Sequence, residues 1–192
     1  MAVCLGALFL ASCAHEDIHH SLVISIPDQK MILYQDTKPE AEYDVSTSKY
    51  GLGDHPGSRE TPLGLLEVAK KFGDNVPPGG VLRSRRFTGE ILPPDAPGRD
   101  PIVTRILWLK GLEAGNSHAF GRCIYIHGTP VENEIGKPAS YGCIRMRSED
   151  VIHLYEKVGV GTKVEIINAS FAPPALVAPT TPPQQMAQMG GG

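Results

Sequence analysis

The sequence predicts a mostly β domain with one main helix at about residues 149–158. Three observations predict it. Short runs rich in Val, Ile, Leu and Tyr are cut by Pro, Gly, Asp and Asn, the pattern of strands between turns. One segment alone, Ser148 to Val158, carries apolar residues at helical spacing. The 192 residues include 21 Gly and 17 Pro, which demand many turns.

Taken in order, Leu22–Ile26 and Lys30–Tyr34 are β-rich runs split by Pro27-Asp28-Gln29, which reads as a hairpin. Tyr43–Ser48 alternates and reads as a third strand, and Tyr50–Glu60, with its Gly, Pro, Asp and His, as a loop. Leu65–Phe72 is the next strand. Asn75–Pro101 is long, rich in Pro and Gly, and carries Arg83, Arg85 and Arg86. A loop of that length inside a compact domain is often functional; a solvated insertion is the plainer reading. Ile102–Leu109 and Arg122–His127 read as strands joined by the Gly111–Gly121 loop. In the helix, Ser148 suits the N-cap, Glu149 and Asp150 suit the first turn, and Val151, Leu154, Tyr155 and Val158 lie on one face. Gly159 ends it, and Lys163–Asn168 is a closing strand. The sum is a mostly antiparallel β domain.

Length fits one domain with one core. A net charge of −3 gives no reason to expect a polyanion partner, so no nucleic acid is expected. The spacing around His118, Cys123, His127 and Cys143 is not that of a zinc site, so no metal is expected. His15, His19 and His20 sit in a polar linker, and His118 and His153 are read as surface or structural residues.

The chemistry concentrates in two short stretches. His127 closes an apolar strand, followed by Gly128. Sixteen positions after the histidine comes Cys143, in the small-residue turn Ser140-Tyr141-Gly142-Cys143, with Arg145 two places on. A thiol needs a base to act as a nucleophile near neutral pH, and imidazole suits that task. The two make a candidate Cys/His pair for acyl transfer, with an adjacent imidazolium lowering the thiol pKa. The N–H groups of Tyr141, Gly142 and Cys143 are candidates for an oxyanion hole. Arg145 suits a substrate carboxylate or an internal acid. Ser140 orders the turn. Cys123 reads as a packed free thiol, and a Cys123–Cys143 bridge as an inactive oxidised state. A papain-like order, with cysteine early and histidine far downstream, does not fit.

On these residues the chain resembles the L,D-transpeptidase (YkuD-type) family. The carriers are His127-Gly128, Ser140-Tyr141-Gly142-Cys143, Ile144 and Arg145, with Ile135–Ser140, Arg145–Asp150 and the upstream Arg59-Glu60-Thr61-Pro62-Leu63-Gly64. Tyr141 stands where the family usually has histidine. The resemblance implies a YkuD-like mixed β-sandwich over residues 21–169 and a peptidoglycan L,D-transpeptidase. Cys143 would be acylated by a tetrapeptide stem with loss of D-alanine, and an amine acceptor would then form a cross-link. It implies peptidoglycan stem peptides as partners, with Arg145, Gly128 and Ser140 on the substrate side, and requires no cofactor. Water as acceptor would give an L,D-carboxypeptidase. A non-catalytic peptidoglycan-binding lipoprotein is the alternative on the same fold.

Val3–Ala14 is apolar and short, like a secretory signal, and Leu10-Ala11-Ser12-Cys13 resembles a lipobox. This implies a signal at 1–12, lipid attachment at Cys13, and a short tether over 13–20. The expected location is the periplasmic face of a bacterial membrane, the outer one by the sorting resemblance of Ala14, or the cell envelope without lipid. Multiple acyl chains would anchor stably. Residues 170–192, rich in Pro, Gln and Gly, read as a disordered tail.

Overall fold

A computed structural model describes residues 16–171. The expectations for the signal, Cys13 and the tail at 172–192 lie outside the described residues. The described residues form ten strands and one α-helix. β1 (His20–Ser25) and β2 (Lys30–Gln35) pair antiparallel, as the Pro27–Gln29 break requires. β3 (Lys38–Asp44) follows a tight turn at Asp36 and Thr37, both at positive φ. This corrects the third strand, expected at Tyr43–Ser48. Lys38-Pro39-Glu40-Ala41-Glu42 carries Pro and charge because it lies at the sheet edge, where an unpaired N–H side tolerates both.

β4 (Gly64–Phe72), β7 (Val103–Gly111), β8 (Tyr125–Gly128), β9 (Ile144–Met146) and β10 (Lys163–Ile167) build the rest of the main sheet. Its order runs β3-β2-β1-β10-β4-β7, then β8 and β9. Most pairs are antiparallel, but β1 with β10 and β8 with β9 run parallel, so the sheet is mixed. The sheet curls until its ends approach. Ser46, just beyond β3, donates to and accepts from the backbone of Arg145 in β9 at 3.0 and 2.9 Å. Inside the curl lie Leu22, Ile24, Met31, Leu33, Leu66, Val68, Leu107, Leu109, Ile126, Ile144, Val164 and Ile166, all buried.

α1 (Ser148–Lys157) adds Val151, Leu154 and Tyr155 to that core. Its N-cap is Arg147, one residue before the expected Ser148, and Arg147 makes no side-chain cap bond. The Ser148 N–H instead donates to the Glu132 carboxylate at 2.8 Å, so the cap comes from outside the helix. At the other end Lys71 Nζ donates to the carbonyls of Tyr155 and Val158, both at 2.7 Å.

Asn75–Pro101 is not a structureless loop. It contains the hairpin β5 (Gly80–Arg83) and β6 (Arg86–Ile91), turned at Ser84 and Arg85, both at positive φ. The tight packing also begins before Ser21. Asp17, expected in the tether, accepts from the Gly159 N–H at 2.7 Å and the Thr162 hydroxyl at 2.9 Å.

Candidate active site

The β8–β9 pairing builds the site. Ile126 pairs with Ile144, and His127 with Arg145. Ile126 and Ile144 point into the main core. Alternation then turns Tyr125, His127, Cys143 and Arg145 to the opposite face. There Cys123, Tyr125 and Cys143 pack with Val76, Leu82 and Ile106 in a second apolar cluster. A parallel pair needs a crossover of about a dozen residues or more. The span from Thr129 to Gly142 supplies it, so sixteen positions of chain separate two side chains on one face of neighbouring strands.

His127 is buried. Its Nδ1 donates to the carbonyl oxygen of Gly128 at 2.9 Å. A carbonyl only accepts, so Nδ1 carries the proton and Nε2 keeps a free lone pair. β7 bulges opposite this stretch: Val103 pairs with Gly128 and Ile106 with His127, leaving Thr104 and Arg105 between. Thr104 takes φ +71 there, and its hydroxyl accepts from the Gly79 N–H and meets the Ser148 hydroxyl, both at 3.0 Å. The bulge crowds Gly128. A Cβ there would lie 2.7 Å from the Val103 carbonyl oxygen. Gly128 is therefore a buried positioning element, not the substrate-facing residue expected.

The Ser140–Cys143 turn is held from inside. The Ser140 hydroxyl donates to the Cys143 carbonyl at 2.6 Å and accepts from the Gly142 N–H at 3.2 Å. Ser140 is fully buried, so it orders the turn and lines no open surface. The Gly142 carbonyl accepts from the Thr61 hydroxyl at 3.0 Å. Gly142 sits at φ +119, and a Cβ would lie 3.1 Å from the Glu60 carbonyl, so this position requires glycine. The expected oxyanion set is corrected accordingly. The Gly142 N–H is occupied, whereas those of Tyr141 and Cys143 have no internal partner among the described residues.

Arg145 is buried and pairs with Asp100, which also accepts from the Thr129 hydroxyl at 2.6 Å. Of the two partners expected for Arg145, a substrate carboxylate or an internal acid, the structure shows the acid. Cys143 Sγ is half-buried and donates to the Cys123 carbonyl at 3.4 Å; both cysteines are free. Over this cluster Trp108 stacks on Phe120 with ring centroids 4.2 Å apart. Arg85, from the hairpin turn, lies 4.7 Å from the Trp108 ring and donates to the Tyr125 hydroxyl at 3.3 Å.

Burial decides the protonation states. Burial drives the His127 pKa down to about 4; the Gly128 carbonyl opposes this, Arg145 adds to it and Asp100 resists it. Burial drives the Cys143 thiol up to about 11, against the Tyr125 N–H and Arg145, with Cys123 adding to the rise. Both shifts favour the neutral forms, thiol and imidazole. Of the two expectations for His127, a base that takes the thiol proton or an imidazolium in an ion pair, they favour the first.

The model for the YkuD family, "L,D-transpeptidase catalytic domain", matches residues 19–166. The chain belongs to the YkuD L,D-transpeptidase family. It is 47% identical over 152 residues to YqjB of Bacillus subtilis, covering 78% of this chain and 73% of that protein. It is 30% identical over 158 residues to "Probable L,D-transpeptidase YbiS" of Escherichia coli, covering 80% of this chain and 46% of that one. The chain therefore spans about half the length of YbiS. Its fold is similar to L,D-transpeptidase 3 of Mycobacterium tuberculosis, with a TM-score of 0.52 at 18% identity, covering 78% of this chain and 61% of that one. The expected YkuD-like, mostly β fold with one helix is thus observed, its mixed sheet curled on itself. The sequence motifs did not reveal Asp100, the β7 bulge or the hairpin cover, because none carries a local signature.

Proposed function

We propose that this YkuD domain is a peptidoglycan L,D-transpeptidase with Cys143 as nucleophile and His127 as general base. One observation carries the reading: the parallel β8–β9 pair turns both side chains to one face, with the imidazole held as the Nδ1–H tautomer. Cys143 Sγ attacks the carbonyl of the third residue of a tetrapeptide stem, and its proton passes to His127 Nε2 as the C–S bond forms. The N–H groups of Tyr141 and Cys143 receive the developing oxyanion. His127 returns the proton to the departing D-alanine amine, leaving a thioester. An acceptor amine then attacks, its proton goes to His127, and the new amide forms as Cys143 regains the proton. No step uses a cofactor or metal.

Because both groups rest neutral, His127 acts during bond formation and not through a preformed ion pair. Arg145, paired with Asp100, serves as a fixed positive charge beside the site. Cys13 as lipid anchor at the periplasmic face of a membrane completes the reading, with stem peptides as partners.

Incubation with purified tetrapeptide stems and intact-mass analysis tests it. The expected product is Cys143 carrying the acyl group, less D-alanine, followed by cross-linked dimers. Hydrolysed tripeptide alone would instead make the protein an L,D-carboxypeptidase. A chain that forms no thioester, with stem or with a carbapenem, would be the non-catalytic binding lipoprotein.

A further inference from the structure

Beside the nucleophile turn lies a cluster that the acyl-transfer chemistry does not use. Tyr50 and Tyr141 are exposed large side chains, 45% and 53% accessible, with ring centroids 5.6 Å apart. Lys49 Nζ lies 4.7 Å from the Tyr141 ring centre and 5.5 Å from that of Tyr50. The Arg59 guanidinium lies 5.6 and 5.8 Å from the same two centres. Lys49 Nζ also reaches the Tyr141 hydroxyl at 3.5 Å. Among the described residues, neither Lys49 nor Arg59 pairs with a carboxylate.

The cluster is built on the segments that hold the nucleophile. The Lys49 N–H donates to the Ser140 carbonyl at 3.2 Å. The Ser48 hydroxyl donates to the Arg59 carbonyl at 2.6 Å. The Arg59 and Glu60 carbonyls pack against Gly142. The backbones of Lys49, Arg59 and Tyr141 are therefore held together at the Cys143 turn.

A carboxylate partner would position these cations and neutralise them. An aromatic face positions them and leaves the charge available. Two cations with no carboxylate partner, lying over aromatic faces at the Cys143 turn, fit an anionic group on the substrate, and the planar guanidinium suits a carboxylate. With cations lying over both rings, stacking of a sugar is disfavoured. We infer that Lys49, Arg59, Tyr50 and Tyr141 form a carboxylate-binding subsite for the donor stem. This rests on the function proposed above. It gives Tyr141 a task that does not require it to replace a histidine base.

The stem offers a C-terminal carboxylate and side-chain carboxylates, and amidation separates them. Binding is measured by calorimetry on the full chain carrying Cys143→Ala, with the free-acid tetrapeptide, its C-terminal amide and its side-chain amide. The free acid should bind about ten-fold or more tightly than one of the amides, which identifies the carboxylate. Adding Lys49→Met and Arg59→Met should erase that difference and leave the affinity for that amide unchanged. Lys49→Glu should reverse the preference. Equal affinity for the acid and both amides, no detectable binding of the acid, or a preference that survives the double substitution would overturn the subsite. Thioester formation by the unsubstituted chain is followed in parallel. A thioester without discrimination rejects the subsite alone. Discrimination without a thioester rejects the transpeptidase reading and leaves a stem-binding subsite.

Discussion

His127 Nδ1 donates to the carbonyl of its own neighbour, Gly128, at 2.9 Å. That bond sets the tautomer and turns the basic Nε2 away from it. β7 bulges opposite this pair, leaving Thr104 and Arg105 between the partners of Gly128 and His127.

The protonation states predict a wide pH plateau. With His127 near 4 and Cys143 near 11, both driven there by burial, the acylation rate should fall only as pH drops through about 4, where Nε2 gains a proton. It should change at the basic end only near 11, where the thiolate forms. Rapid-mixing kinetics with a carbapenem, together with thiolate absorbance at pH 7, check this. Thiolate absorbance at pH 7 that disappears in Cys143→Ala would replace the neutral pair with an ion pair.

Gly128→Ala places a Cβ 2.7 Å from the Val103 carbonyl oxygen, a backbone atom with no flexible end to yield. The strands must separate locally, at about 1–3 kcal/mol of stability. The carbonyl that orients His127 shifts with them. Urea unfolding should show the loss, and acylation of the remaining folded protein should slow by about ten-fold or more. A normal rate would mean that the Gly128 carbonyl is not what orients the imidazole.

Ser140→Ala removes the bonds to the Cys143 carbonyl and from the Gly142 N–H inside a buried turn. The cost is about 1–3 kcal/mol, because both partners stay buried. Cys143→Ala should abolish thioester formation with the stability nearly unchanged. Comparing the two by denaturation and intact mass separates a turn-forming serine from an attacking one.

Asp17 ties the segment before β1 to the turn after α1. Burial tends to raise its pKa, but the Gly159 N–H, the Thr162 hydroxyl and His20 together hold it at about 2, below the ordinary 3.8. A lowered carboxyl pKa stabilises the fold above 3.8, and the contribution is lost as pH falls through about 2. The gap is worth about 2 kcal/mol. Asp17→Asn should cost that amount at pH 7 and little at pH 2, measured by urea midpoints at both.

Much of the fold is legible locally. The β1–β2 hairpin, β4, β7, β10 and α1 carry their own periodicity and turn residues. β3 escaped because an edge strand tolerates Pro and charge, so Lys38–Glu42 does not look like a strand. The hairpin β5–β6 was hidden because its cross-strand partners come from a region crowded with Pro and Gly. The Ser148 cap was misplaced because Glu132, sixteen residues earlier, satisfies that N–H.

The sequence by itself determined which candidate groups are present and in what order they occur: an imidazole ending a strand, a glycine-preceded thiol, a serine in the same turn. Those are properties of residue type and of neighbours in the chain. Only the tertiary structure decided that burial pushes both groups toward their neutral forms, that the Gly142 N–H is already taken, and that Arg145 answers to Asp100. Protonation follows desolvation, and desolvation is set by everything packed around a group. For Cys143 that includes strands and turns whose residues lie far from it along the polypeptide.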